Sequence, residues 1–176
     1  MLLDPRAIIM FGANALLLFL MQMVNSAMAA WPPYLFILGP MIVLPALYLR
    51  HQSYFLCTFL SGLGVDASMG GPFGFFTTLF LMAGALIFTF RIRFRAEHNY
   101  HPILLGHVTN IFLILSISIF WGGDLLNISS YWIQILSTIF FSHLAMLVVA
   151  PWFYSLERQL FQICRVETEP EDLPLL

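Results

Sequence analysis

Apolar residues run through this chain in six blocks, separated by polar, aromatic or helix-breaking positions. The first extends from about Arg6 to Ala30. It stops at Trp31-Pro32-Pro33, an aromatic anchor followed by two residues that cannot continue a helix. The second, Tyr34 to Leu49, would rise only about 24 Å as a helix, and Pro40 and Pro45 interrupt it. A segment this short and broken is expected to be kinked or embedded among its neighbours. The third block covers Ser53 to Met69, the fourth Phe73 to Phe90, the fifth Pro102 to Trp121 and the sixth Tyr131 to Leu156. Pro102 suits the first turn of a helix, where its missing N–H would have no intrahelical partner. No internal repeat or second domain interrupts the series. The expected organisation is a membrane domain over residues 1–156 and an acidic, disordered cytoplasmic tail over 157–176.

Composition turns apolar blocks into membrane spans. Of 176 residues, 60% are hydrophobic and 9% charged, against about 25% charged in soluble domains. Such a chain cannot cover a water-exposed surface, so it reads as an integral membrane protein. It has no lysine and a net charge of -2, which leaves no basic stripe for nucleic acid. Arg50 follows the second block, Arg91, Arg93 and Arg95 the fourth, and Arg158 and Arg165 the sixth; the loops after the first, third and fifth carry no basic residue. Six spans therefore put every basic loop on one face with both termini, and the positive-inside rule makes that face cytoplasmic. Residues Ile8 to Leu20 look like the apolar region of a signal peptide. Arg6 is balanced by Asp4, however, and the run is long, so it is read as an uncleaved span. All four tryptophans, Trp31, Trp121, Trp132 and Trp152, fall where this count puts a membrane interface. Cys57 and Cys164 match no metal or redox spacing; the first reads as a small core hydrophobe and the second as a free thiol.

Asp66 breaks the third block, with no basic residue nearer than Arg50 and Arg91. A carboxylate near a membrane interior is costly, and a helix C-terminus adds its own negative dipole end. Compensation is available just ahead. The fourth span begins near Gly70-Gly71-Pro72-Phe73-Gly74, and its first N–H groups have no intrahelical partner. If the turn folds back, Asp66 caps the next helix through N–H groups around Gly71, with Gly62, Gly64, Gly70, Gly71 and Gly74 permitting close approach.

The stretch GLGVDASMGGPFGFFTTLFLMAGALIFTF resembles the central motif of the bacterial rod shape-determining protein MreD family. That family carries a Gly four residues before an Asp, often a Gly four after it, and a hydrophobic-Gly pair seven and eight after it. Here these are Gly62, Asp66, Gly70 and Phe73-Gly74. Some members have a further Gly eight residues before the Asp, where this chain has Thr58. The resemblance implies an all-α membrane protein of six helices, sharing its architecture with the substrate-binding subunits of energy-coupling-factor transporters. It implies a multi-pass protein of the bacterial cytoplasmic membrane, a non-enzymatic scaffold of the cell-wall elongation complex, without a cofactor. The implied partners are MreC and, directly or through it, the MreB filament, RodA and a class B penicillin-binding protein.

The other polar residues have two readings. Asn14, Gln22 and Asn25 lie in the first span, His107 and Asn110 in the fifth, and Gln134, Ser137, Ser142 and His143 in the sixth. They are expected to make interhelical hydrogen bonds of about 0.6 kcal/mol each, and the alternative is the lining of a pocket. His107 and His143 make no metal site without a third ligand. Arg91, Arg93 and Arg95 hold their loop inside and meet anionic lipid, and they also offer a docking surface for a cytoplasmic partner. No phosphate loop, His-Glu-x-x-His or Gly-x-Ser-x-Gly motif occurs, so nothing supports an enzyme. The rival function is the small-molecule-binding subunit of a vitamin-type transporter. Those subunits pack their first helix through Ala-x-x-x-Ala, which this chain lacks; Ser26-x-x-x-Ala30 is the nearest equivalent.

Overall fold

A computed structural model describes residues 4–30, 34–95 and 101–165, without the side chains of 92–95 and 101. Among these residues every regular element is helical. In chain order they are α1 (Pro5–Ala27), α2 (Gly39–Tyr48), α3 (His51–Ser68), α4 (Phe75–Arg95), α5 (His101–Gly122), a 3-10 turn (Gly123–Asn127) and α6 (Ser129–Ile163). Three helical stretches are long and apolar enough to cross a membrane: Pro5–Ala27, Pro102–Asn127 and Ser129–Ile163. Length and composition therefore mark a helical membrane protein.

Local chemistry sets the helix ends. Asp4 is extended and accepts a hydrogen bond from the Arg6 N–H at 3.0 Å, while Pro5 starts α1 with φ already fixed. Gly74, at φ +93°, turns the chain into α4 in a conformation that a side chain would strain. The second apolar block is helical for only ten residues, Gly39–Tyr48, about 15 Å of rise. Residues 34–38 ahead of it are not helical.

The short helix lies at the centre. Every residue of α2 from Gly39 to Leu47 is buried, and α2 packs against α3, α4 and α5. A Cβ on Gly39 would sit 2.1 Å from the Gly106 carbonyl oxygen, so the α2 and α5 backbones touch. The long helices lie outside: α1 packs on α3 and α6, and α6 packs on α1 and α5. Their outer faces expose large apolar side chains, among them Phe19, Leu136, Phe140, Leu147 and Val148, which suits a hydrocarbon surround.

The last helix corrects the expected boundary at Leu156. It continues to Ile163, with Glu157 and Phe161 buried. Met146, Ala150, Phe153, Glu157 and Phe161 recur at helical spacing, so the buried stripe carries the helix onward. The remainder of the expected tail, 166–176, lies outside the described residues, as does Trp31.

Candidate functional site

Asp66 sits in the last turns of α3, 5% exposed. One carboxylate oxygen accepts the Phe76 N–H at 2.8 Å. The other accepts the Thr77 N–H at 3.1 Å and the Thr77 hydroxyl. The carboxylate thus takes the open donors of the first turn of α4, and both its oxygens are engaged. The N–H groups it reaches are those of Phe76 and Thr77, not those around Gly71 as the sequence led us to expect. Gly71 N–H instead donates to the Met69 carbonyl, closing the turn locally.

The glycine motif divides into working parts. A Cβ on Gly62 would lie 2.6 Å from the Thr77 Cα, so this glycine lets α4 come close enough for the bonds to Asp66. Gly74 supplies the left-handed turn before α4. Gly70 and Phe73 depart from the expected packing role. A Cβ on Gly70 would meet nothing within 4 Å, and Phe73 is 74% exposed. Both lie where the turn projects outward from the bundle. The close approach belongs to Gly71, against which the Trp121 ring lies.

A second polar cluster surrounds the non-helical segment before α2. Five successive backbone N–H groups there find partners on other helices. Leu35 donates to Asn25, Phe36 to the Ser142 hydroxyl, Ile37 to the Met21 sulfur, and Leu38 and Gly39 both to Asn110 Oδ1. The carbonyls of Leu35 and Phe36 accept from the Asn25 and Asn110 amides. Unwound backbone at membrane depth survives only where protein satisfies it, and three side chains from α1, α5 and α6 do most of this. Asn110 also occupies the N-terminus of α2, the positive dipole end where broken transporter helices hold anionic substrates.

The remaining polar candidates join helices in pairs. Asn14 donates to the Met41 carbonyl and to the Ser61 hydroxyl, tying α1 to α2 and α3. Gln22 accepts from the Tyr34 hydroxyl at 3.3 Å and approaches Ser68 at 3.5 Å. His107 and His143 face each other across α5 and α6, Nδ1 to Nδ1 at 2.6 Å, so one must donate and the other accept. His107 and Asn110, three residues apart, serve different neighbours.

Arg91 is committed to the fold. Its guanidinium donates to the Leu49 carbonyl at the end of α2 and lies 4.0 Å from the Phe88 ring centroid. The side chains of Arg93 and Arg95 lie outside the described residues. Cys57 is buried and Cys164 exposed, both as free thiols.

Glu157 escaped the sequence reading, which ended the span one residue earlier. Its place in the stripe from Met146 to Phe161 was the available signal. Among the described residues neither of its carboxylate oxygens finds a hydrogen-bond partner, nor do Thr58 Oγ1 and Asn14 Oδ1. No three His, Cys, Asp or Glu side chains among them converge as a metal site. The chain matches no protein-family model, no curated protein and no solved structure.

Proposed function

We propose that this protein is a non-enzymatic membrane scaffold of the bacterial cell-wall elongation complex, as its resemblance to the MreD family implies. The observation that carries this reading is the Asp66 carboxylate. Both its oxygens are spent on fastening α3 to the start of α4, across a contact that Gly62 alone makes close enough. A carboxylate that accepts three bonds from one helix start serves architecture in this reading.

The rival transporter reading has less support. The N-terminus of α2, which would attract an anionic ligand, is filled by Asn110. The six-span topology with both termini inside remains part of the proposal. The segregation of the arginines supports it. So does the length of the second block: its non-helical start and short helix together reach about 30 Å, the thickness of a bilayer core. In this reading the exposed apolar flanks of the outer helices meet lipid and the membrane span of MreC. Through MreC the protein is linked to MreB, RodA and a class B penicillin-binding protein in the cytoplasmic membrane.

Purification of the tagged chain in mild detergent, followed by identification of what accompanies it, tests the proposal alongside depletion in the native cell. The expected result is a single-span wall-synthesis partner in stoichiometric amount, and cells that widen and round on depletion. Unchanged cell width together with no wall-synthesis protein in the eluate refutes it.

A further inference from the structure

Glu157 is the one acidic side chain buried in the described bundle that takes part in no hydrogen bond. It is 2% exposed. It comes from the inner stripe of α6, flanked one turn either way by the buried Phe153 and Phe161. Its electrostatic neighbours are Cys57 of α3 and Tyr154 of α6, with Tyr48 of α2 beyond Tyr154. Tyr154 donates its hydroxyl to the Pro102 carbonyl. Thr58, next to Cys57 and fully buried, leaves its hydroxyl oxygen without a partner.

Among the described residues no hydrogen-bond donor reaches the Glu157 carboxylate. The buried faces of α1, α2 and α5, the helices packed against α6, hold no titratable side chain among the described residues, and Arg6 of α1 and Tyr48 of α2 are half-buried. The half-buried His107 pairs with His143, fourteen residues up α6 from Glu157. Arg91 serves the Leu49 carbonyl and Arg158 is exposed. A bare carboxylate in such surroundings costs far more than a hydrogen bond returns. Ionisable groups inside membrane bundles are commonly sites for protons or ions for this reason.

We propose that Glu157 is an internal binding site for a small cation, a proton or Na⁺, which neutralises the carboxylate on the buried stripe of α6. With a proton, the carboxyl group turns one oxygen into a donor. With Na⁺, the carboxylate oxygens are ligands. Either cation bound in the folded protein and released on unfolding adds stability by linkage. An unfolded Glu releases its proton above about pH 4.3. A proton site therefore makes the folded chain lose stability as pH rises from there.

The test compares the full-length wild type in detergent with Glu157→Gln, which keeps the shape and removes the charge. Melting is followed from about pH 6 to about pH 9, with sodium or with potassium as the only alkali cation. A proton site predicts that wild-type melting falls by several degrees with rising pH in either salt, while the Gln variant stays flat. A Na⁺ site predicts that sodium raises wild-type melting and leaves the variant unmoved. Wild type and variant with the same pH and sodium dependence overturn the inference, as does a variant that simply melts lower by a constant amount, the mark of a fixed ion pair. Carbodiimide labelling of the wild type at Glu157, read by mass spectrometry, keeps the inference testable even if the variant does not accumulate, because the reagent takes the protonated carboxyl. Labelling that falls about tenfold per pH unit above its midpoint marks the proton, and protection by sodium over potassium marks Na⁺. No labelling of Glu157 at about pH 6 in sodium-free buffer refutes both.

Discussion

Replacing Asp66 tests the cap at its centre. In Asp66→Ala the Phe76 and Thr77 N–H groups, both inside the bundle, lose their acceptor at once. Each buried donor left open costs about 1–3 kcal/mol, so the loss is about 2–6 kcal/mol before any repacking. The Thr77 hydroxyl adds little, since it can rotate to a carbonyl of its own helix. In Asp66→Asn one oxygen remains for one N–H, but the amide nitrogen faces the second donor, so about half of the loss is expected. Glu carries an added methylene into a contact where even a Cβ on Gly62 would meet Thr77, and it should fare no better than Ala. At about 2–4 °C per kcal/mol for a chain of this size, Asp66→Ala should melt at least about 4 °C below the wild type, with Asn between them. Thr77→Val should cost less in the Asp66→Ala background than in the wild type, because their interaction is already gone. The assay is melting and membrane abundance of the full chain in each variant. Asp66→Ala melting with the wild type refutes the cap. So does normal abundance with Glu active and Asn inactive, the pattern of a proton carrier.

Three further outcomes follow from the geometry. Gly39→Ala and Gly62→Ala should each cost about 1–3 kcal/mol or more by overpacking. Gly12→Ala and Gly70→Ala, which would meet nothing within 4 Å, should be neutral, and equal melting of all four would refute the backbone contacts. Asn110→Leu should leave the Leu38 and Gly39 donors and the Phe36 carbonyl unpaired, lowering melting more than His107→Leu does; the reverse order would show that the segment before α2 does not depend on Asn110. In a chain freed of Cys57 and Cys164, single cysteines at Gly71 and Gly123 should label from outside the cell and one at Arg93 only after permeabilisation; outside labelling at Arg93 would overturn the six-span topology.

The sequence by itself determined the class of this protein and the order of its apolar helices. Low charge and long apolar runs leave no soluble solution. Pro32-Pro33, Gly74 and Pro102 mark breaks that backbone sterics enforce wherever the chain goes. That Asp66 needs donors was also legible, because desolvating a carboxylate is costly in any fold. Only the tertiary structure decided which donors it finds: one turn of α4 had to pass Gly62 for Phe76 and Thr77 to arrive, where the sequence pointed to the nearer Gly71. The same holds for Asn110, whose partners lie on a segment seventy residues earlier in the chain. It holds for Glu157 too, which the sequence reading placed at the start of the acidic tail. Local sequence fixes backbone preference and solvation cost, which act over a few residues. The pairing of a buried polar atom depends on which helices meet, and that is settled by packing across the whole bundle.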